Sequence, residues 1–451
     1  MRRCSTSRKP LPASIICSSG SRAPAELAVR HLAGIDRGRP PVGRSVAAVR
    51  PHKPLLRRRG QWHGSGEGGE SVPVEILHIH STFALGGKEA RAVRLMNAFG
   101  AAARHAVLSA VPGEVSARAA LAPGIEAHFP DDGPPLTGAP TPWRLRRIAA
   151  YMRRFDLVLT YNWGAFDAVM ARRLYGRAMA LPPLIHHEDG FNADEATALN
   201  PRRNRYRRLG LAAAARLVVP SERLEGIARI VWKQPEERVV RIANGVPVAA
   251  YAAAPEPLPG IERQPGEVLV GTVAGLRPVK NLPRLVRAFA AMTSPARLVI
   301  VGAGPESERI AAEARRRGVA DRVHMPGFRA DPSRWIGGFD LFALSSDSEQ
   351  FPISLLEAMA AGLPAVATAV GDVPHMLAAD NAPLVVAPED EAAFAAALDT
   401  LAARPDLRRA IGRANREKAA AAYDEATMIA RYAALYGEAI GRPHAFTTGR
   451  S

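Results

Sequence analysis

Strand-length apolar runs alternate with helical segments from Val74 onward, and this alternation constrains the fold more than any other feature. Strands that alternate with helices form parallel sheets with both faces covered. The sequence therefore predicts an α/β protein with two Rossmann-like, doubly wound domains. The strands of the first domain are expected at residues 75–80, 105–110, 125–129, 157–161, 183–187, 216–220 and 238–242, and those of the second begin near residues 268, 298, 322, 339 and 365.

The same pattern sets the expected domain boundaries. Residues 1–70 lack sustained periodicity and are rich in basic residues, so they are predicted to be a disordered basic extension. A first domain is expected over residues 71–247 and a second over residues 267–425. The proline-rich segment 248–266 is the expected linker, and a hinge there would let the domains close over a ligand.

Composition narrows the class of protein. The chain is 47% hydrophobic and 23% charged, which is typical of a soluble globular protein. Its two cysteines, Cys4 and Cys17, leave no disulfide framework, which fits a reducing, cytoplasmic location. The net charge of +17 is concentrated in residues 1–70, so it does not by itself indicate nucleic-acid binding.

One strand–loop–helix unit carries two carboxylates. Residues 339–344 form an apolar run of strand length, and residues 351–361 repeat apolar side chains at helical spacing. Glu349 falls in the loop beyond the strand, and Glu357 falls just inside the helix. The free N–H groups of a first helical turn carry roughly half a positive charge and bind anions. Because ligands of open α/β sheets bind beyond the carboxyl ends of the strands, this unit fits a sugar nucleotide.

The segment from Glu349 to Glu357 resembles the signature of retaining GT-B glycosyltransferases of the group 1, family 4, glycogen-synthase-like type. The resemblance implies two Rossmann-like domains that face each other across a cleft. It also implies that Glu349 hydrogen-bonds the donor hexose and that Glu357 holds the ribose hydroxyls. The residues expected to meet the diphosphate between them are Phe351, Pro352, Ile353 and Ser354. Taken alone, the spacing has a simpler explanation: Glu349 would be a solvated loop acid, and Glu357 would only favour a helix N-terminus.

Two further loops belong to the expected donor site. Arg277 and Lys280 follow the strand near residue 268 and precede a helix, where cations are unfavourable unless an anion is bound. Arg grips phosphate bidentately and Lys acts as a point charge. The loop resembles the family's Gly-Arg-Leu-x-x-x-Lys-Asn motif, with Leu276-Arg277 in reversed order. Gly86 and Gly87, between the first strand and helix, resemble the family's glycine-rich loop at the cleft; a simple tight turn is the alternative.

Residues 184–191 end a strand with two histidines, two acids and a glycine, at the position where a ligand would lie. The resemblance implies a histidine near the donor sugar, and His186 fits best, with His187 second. A metal site is not expected there because neighbouring strand residues point to opposite sides. The resemblance also brings Gly327 and Phe328 to the nucleotide base. No cofactor or metal is predicted beyond the nucleoside-diphosphate sugar itself.

The chain departs from the family pattern after the next strand. The family commonly has Gly-Gly-x-x-Glu there, whereas this chain has Gly371-Asp372 and ends the motif with His375, so a carboxylate role at residue 375 is lost. Gly371 can still pack close to the ligand. By the same resemblance, a helix over residues 426–441 is expected to return to the first domain.

Two basic, aromatic-bearing segments lie at residues 143–154 and 201–209. Such helices can rest on anionic lipid, and bacterial members of this family often use lipid-linked acceptors. The resemblance therefore leads us to expect peripheral contact with the inner face of a membrane. A solvated helix face is the alternative, particularly if the two segments lie on different surfaces.

The predicted activity is transfer of a hexosyl group from a nucleoside-diphosphate sugar to a saccharide or lipid-linked acceptor, with retention of configuration. Polysaccharide or glycolipid biosynthesis is the expected context. Two alternatives stay open: a GT-B nucleotide-sugar 2-epimerase, and a non-enzymatic basic protein that binds membrane or nucleic acid. No spacing in the chain encodes the donor base, the acceptor or the linkage.

Overall fold

The protein is represented by a computed structural model that describes residues 72–84, 86–191, 195, 198–261 and 263–446. The basic extension predicted over residues 1–70 lies outside these ranges. Two parallel sheets organise the described chain, as the alternation of strands and helices predicted.

The first sheet has seven strands within the described residues: β1 (Val74–His80), β2 (Ala103–Ser109), β3 (Ala127–His128), β4 (Leu157–Tyr161), β5 (Leu184–His187), β6 (Arg216–Val219) and β7 (Val239–Arg241). Their spatial order is β3-β2-β1-β4-β5-β6-β7, and every pair is parallel. Each predicted strand position of this domain holds a strand. The order reverses between β1 and β4, which creates a crevice at the carboxyl ends of the strands.

The second sheet has six strands in the described chain: β8 (Val268–Val273), β9 (Ala296–Val301), β10 (Val323–Gly327), β11 (Leu341–Leu344), β12 (Ala365–Thr368) and β13 (Val385–Val386). Their order, β10-β9-β8-β11-β12-β13, is also wholly parallel and reverses between β8 and β11. Five of the six strands were predicted. The two-residue β13 at the sheet edge is too short to leave a periodic signal.

The α-helices of the described residues are α1 (Gly87–Phe99), α2 (Pro142–Met152), α3 (Phe166–Tyr175), α4 (Pro201–Leu211), α5 (Glu222–Ile230), α6 (Leu282–Ala290), α7 (Ser307–Arg316), α8 (Ile353–Ala360), α9 (Val373–Met376), α10 (Glu391–Ala403), α11 (Pro405–Ala422) and α12 (Glu425–Ala439). Within the described ranges, we find no helix with both the length and the apolarity to cross a bilayer.

Both faces of the first sheet are buried, which explains why its strands are apolar at nearly every position. Successive strand residues point to opposite faces. Accordingly, Leu77 and Ile79 pack under α2, α3 and α4, whereas Val74 and Ile76 pack under α1 and α12. The second sheet likewise separates two apolar clusters, one under α6 and α10 and the other under α8.

The last helix of the chain packs on the first sheet. Met428, Tyr432 and Tyr436 of α12 are buried in the same apolar cluster as Ile76 and Val218. Helix α12 thus follows the second sheet in sequence and completes the core of the first. It ties the two domains together from the side opposite α2, α3 and α4.

Candidate active site

Helix α8 begins at the carboxyl end of β11 and presents an anion-binding terminus. Pro352 is its N-cap residue and has no N–H, so the free donors are backbone amides on either side of it. The amides of Ile353 and Ser354 have no acceptor among the described residues. The helix begins at Ile353, two residues later than the periodicity suggested, because Pro352 is extended and disfavours a helical residue before it. Phe351 packs edge-on against Tyr423. The free N–H groups of the first turn can therefore donate hydrogen bonds to a phosphate oxygen.

Lys280 and Glu349 meet at the mouth of this terminus. The Lys280 Nζ lies 2.5 Å from the Glu349 Oε1, and the Ser346 hydroxyl donates a 2.6 Å hydrogen bond to the same oxygen. Lys280 comes from the loop after β8 and Glu349 from the loop after β11, and these strands are neighbours. The structure therefore places a cation and an oriented carboxylate side by side at the sheet's switch point.

Arg277 lies on the same loop as Lys280 but points into solvent. Its guanidinium makes no ion pair or hydrogen bond with the described residues, which leaves all its donors available. The structure brings Lys280, but not Arg277, into contact with Glu349. A diphosphate at the start of α8 would meet two bases from one loop: Lys280, which is held by Glu349, and Arg277, which is exposed to solvent.

Glu357 lies one turn into α8 and is only 9% exposed. Burial raises the pKa of its carboxyl to about 7; the charge of Asp331 adds to the rise, while that of Arg94 opposes it. The Glu357 carboxyl group makes no hydrogen bond with other described residues. A buried carboxyl without a partner is costly, and hydroxyl donors of a ligand would relieve that cost.

The glycine-rich loop of the first domain faces the start of α8 across the cleft. A Cβ atom at Gly87 would lie 3.2 Å from the Ile353 Cδ1. The start of α1 and the start of α8 are therefore within van der Waals contact distance. Gly86 is the N-cap of α1, and a Cβ atom there would lie 3.0 Å from Glu89 Oε2. The structure brings Gly87 and Ile353 together, although they belong to different domains.

His186 lies inside the first domain and has no exposed surface. Its Nδ1 is 2.8 Å from the Thr160 hydroxyl, and its ring packs edge-on against Phe166 of α3. His187 points to the opposite face and shares a 2.8 Å hydrogen bond with the Tyr436 hydroxyl of α12. The structure does not bring His186 to the cleft surface, because strand alternation turns both rings into the layers that cover the sheet. Its catalytic role stays a prediction.

The Gly327 and Phe328 pair ends β10 at the same edge of the second sheet. Gly327 has a φ of 79° and its carbonyl accepts a 3.0 Å hydrogen bond from the Gly302 amide. Phe328 is 64% exposed, so its ring is free to contact a planar group. The structure places them at the end of β10, which is separated from β11 by two strands.

Sequence reasoning missed the residues that hold the domains together beside this site. Arg91 is buried in α1, where it pairs with Asp189 and donates a 3.0 Å hydrogen bond to Asn244 Oδ1. Burial would raise the pKa of Asp189, but the Arg91 charge outweighs it and lowers that pKa. Asn244 Nδ2 lies 3.4 Å from the Phe351 carbonyl, so the network reaches the donor loop of the second domain. The signals in the sequence were the acids that end residues 184–191 and the Asn-Gly pair at residues 244–245, just before the linker.

A second missed contact comes from Asp372, whose carboxylate accepts hydrogen bonds from the Glu222 and Arg223 amides of α5. Next to it, Gly371 has a φ of 57°, and a Cβ atom there would lie 2.2 Å from the Glu349 carbonyl oxygen. The sequence signal was the departure at Gly371-Asp372. Among the described residues, no cluster of three or more His, Cys, Asp or Glu side chains is placed to hold a metal ion.

Two parallel Rossmann-like domains with a shared cleft and an anion-binding helix terminus define the GT-B architecture. Solved structures agree: the Anabaena protein Alr3699/HepE, crystallised with UDP, superposes with a TM-score of 0.66 at 19% identity, covering 81% of this chain and 100% of that one. The family models match in sequence order: "Glycosyltransferase Family 4" over residues 85–250 and "Glycosyl transferases group 1" over residues 259–418. The chain belongs to the group 1, family 4 glycosyltransferases.

Curated relatives match shorter stretches. An N-acetyl-alpha-D-glucosaminyl L-malate synthase of Bacillus anthracis is 28% identical over 36% of this chain. A D-inositol 3-phosphate glycosyltransferase of Segniliparus rotundus is 35% identical over 39% of this chain. The matched stretches span 44% and 42% of these relatives' own lengths, less than half of each.

Proposed function

We propose that the protein is a glycosyltransferase that moves a hexosyl group from a nucleoside-diphosphate sugar to a saccharide or lipid-linked acceptor, with retention of configuration. The observation that carries the proposal is the contact of Lys280 with Glu349 at the free N-terminus of α8. That arrangement offers positive charge for a diphosphate and a carboxylate for sugar hydroxyls within one site.

The comparisons support a nucleotide-sugar donor. The Anabaena protein with the same architecture has been crystallised with UDP and with UDP-glucose. In this chain, the amides of Ile353 and Ser354 would receive the diphosphate, and Lys280 and Arg277 would neutralise it. Glu357 would accept hydrogen bonds from the ribose hydroxyls. Phe328 would lie against the base, and no metal ion is part of the proposal.

Catalysis would be positional and electrostatic. The acceptor hydroxyl attacks the anomeric carbon on the face from which the diphosphate departs. A new carbon–oxygen bond forms while the bond to the diphosphate breaks, and the acceptor proton passes to a diphosphate oxygen. Lys280 and the α8 amides stabilise the charge that develops on the leaving group, while Glu349 holds the sugar. The cleft beside the contact of Gly87 with Ile353 would receive the acceptor.

The test is nucleoside-diphosphate release from UDP-, GDP- and ADP-sugars, with membrane extract supplied as acceptor. We expect release from one donor, and its loss in both Glu349→Ala and Lys280→Ala. Glu417→Ala, at an exposed position of α11, is the matched control and should keep full activity. NMR spectroscopy of the product should show that the transferred sugar has the same anomeric configuration as in the donor.

Three outcomes would overturn the proposal. Isomerisation of the sugar without an acceptor would indicate an epimerase. A product whose sugar has the opposite anomeric configuration to the donor would show that the enzyme does not retain configuration. Failure of every donor to bind or react, with wild-type protein that is folded, would leave a binding role only.

A further inference from the structure

The two basic segments predicted from sequence share one surface. Asp167 in α3 pairs with Arg144 of α2 and accepts a 3.0 Å hydrogen bond from the Tyr206 hydroxyl of α4. The Tyr175 hydroxyl at the end of α3 donates a 2.9 Å bond to the Pro142 carbonyl at the start of α2. All three helices cover the same face of the first sheet, so their outward sides form one continuous layer.

That layer is strongly basic. Its exposed arginines are Arg146 and Arg147 of α2, Arg173 of α3, and Arg202, Arg205 and Arg208 of α4, and we call them the arginine face. None of the six makes an ion pair with another described residue. The one acid within these three helices is Asp167, and its carboxylate is already held by Arg144 and Tyr206. Unpaired positive charge therefore accumulates on this side of the first domain.

Large apolar side chains stand among these arginines. Trp143 of α2 is 66% exposed, Leu174 of α3 is 54% exposed and Leu209 of α4 is 52% exposed. The Arg147 guanidinium stacks over the Trp143 ring, 4.8 Å from its centroid. Single exposed apolar residues need no explanation, but large ones set among unpaired arginines fit a partner that can bury both. A bilayer interface can take both the charges and the apolar side chains, because Trp favours the headgroup level and Arg pairs with lipid phosphate.

We propose that α2, α3 and α4 dock the protein onto a bilayer that contains anionic phospholipid. The arginines contact the phosphates, and Trp143, Leu174 and Leu209 enter the headgroup region. The inference is independent of the donor chemistry, since none of these side chains belongs to the proposed donor site. Nucleic acid, the other polyanion, would gain nothing from the two exposed leucines.

The test is cosedimentation of the full chain with vesicles of phosphatidylcholine alone and with vesicles that also contain phosphatidylglycerol. Wild-type protein should bind only the anionic vesicles. The triple variant Arg202→Glu/Arg205→Glu/Arg208→Glu should bind at least about 1,000-fold more weakly, because it replaces three positive charges by negative ones and each arginine near such a surface contributes about fivefold to binding. The control, Arg404→Glu/Arg409→Glu/Arg413→Glu on and beside α11, changes the net charge equally and should bind like wild type.

A milder set guards against misfolding: Arg202→Gln/Arg205→Gln/Arg208→Gln should keep the wild-type melting temperature and bind about 100-fold more weakly. On anionic vesicles, the fluorescence difference between wild type and Trp143→Phe should show a blue-shifted Trp143 signal. Equal weakening by the α11 control would overturn the proposal. The proposal would also be overturned if the variant Arg202→Glu/Arg205→Glu/Arg208→Glu bound vesicles like wild type but lost binding to duplex DNA. That result would assign the arginine face to nucleic acid.

Discussion

The Asp372 carboxylate of the second domain accepts a 2.6 Å hydrogen bond from the Glu222 backbone amide, the first amide of α5 in the first domain. A second bond of 3.1 Å comes from the Arg223 amide. A negative charge at a helix N-terminus is favourable because the free N–H groups and the helix dipole both point to it. The Asp372 amide in turn donates to the Gln350 carbonyl, 3.2 Å away. One residue thus joins the donor loop to the opposite domain.

Asp372→Ala should loosen the contact between the domains. We expect a loss of about 1–2 kcal/mol in the free energy of unfolding, the usual cost of removing a capping side chain. Small-angle scattering should show a larger radius of gyration than wild type. Asp390→Ala is the matched control, because Asp390 caps α10 within the second domain at 2.8 Å from the Ala393 amide. It should lose similar stability with an unchanged radius; equal expansion of both variants would contradict this role for Asp372.

Gly371→Ala should distort the donor loop. Its left-handed backbone disfavours a side chain, and the new Cβ atom would lie 2.2 Å from the Glu349 carbonyl oxygen. We expect a loss of about 2–4 kcal/mol in urea-induced unfolding, together with loss of donor turnover. Gly318→Ala has a similar φ of 69° with open space around it, so it should lose only about 1–2 kcal/mol and keep turnover. Equal effects in the two variants would rule out a steric cause.

Glu357 should make stability depend on pH. Because its pKa in the folded protein is raised to about 7, the folded state holds this proton more tightly than the unfolded state. The resulting stabilisation is complete below the carboxyl's ordinary range and is lost as pH rises through about 7. The free energy of unfolding of Glu357→Gln, relative to that of wild type, should therefore rise by about 3 kcal/mol between acidic and mildly alkaline pH. Denaturant unfolding at several pH values measures this, with Glu417→Gln as the flat control; a pH-independent difference would contradict it.

Lys280 and Glu349 should act as a unit in donor turnover. Each single alanine variant removes one member of a contacting pair, and such residues are strongly non-additive. We expect the double variant to release nucleoside diphosphate no more slowly than the worse single variant. Single-turnover rates with the preferred donor decide this. If the rate of the double variant fell by the product of the two single-variant factors, the two side chains would contribute independently.

The sequence placed the site's principal side chains because their positions depend on local patterns. Glu349 and Lys280 each follow a predicted strand, and the carboxyl ends of parallel strands meet at one sheet edge. His186 shows what this reasoning leaves undecided. A four-residue strand with a histidine on each face gives no indication of which residue faces the cleft, and the tertiary packing turned His186 under α3.

The sequence by itself determined two parallel α/β domains and the loops at their strand ends, because strand and helix periods are local properties. The resemblance of the segment from Glu349 to Glu357 also indicated the family. Only the tertiary structure decided which of these loops touch. It paired Lys280 with Glu349 across 69 positions of the chain and Asp372 with Glu222 across 150. It also buried Glu357 enough to shift its pKa and gathered the basic helices onto one surface. Contacts between distant segments depend on how whole layers pack, which no local pattern encodes.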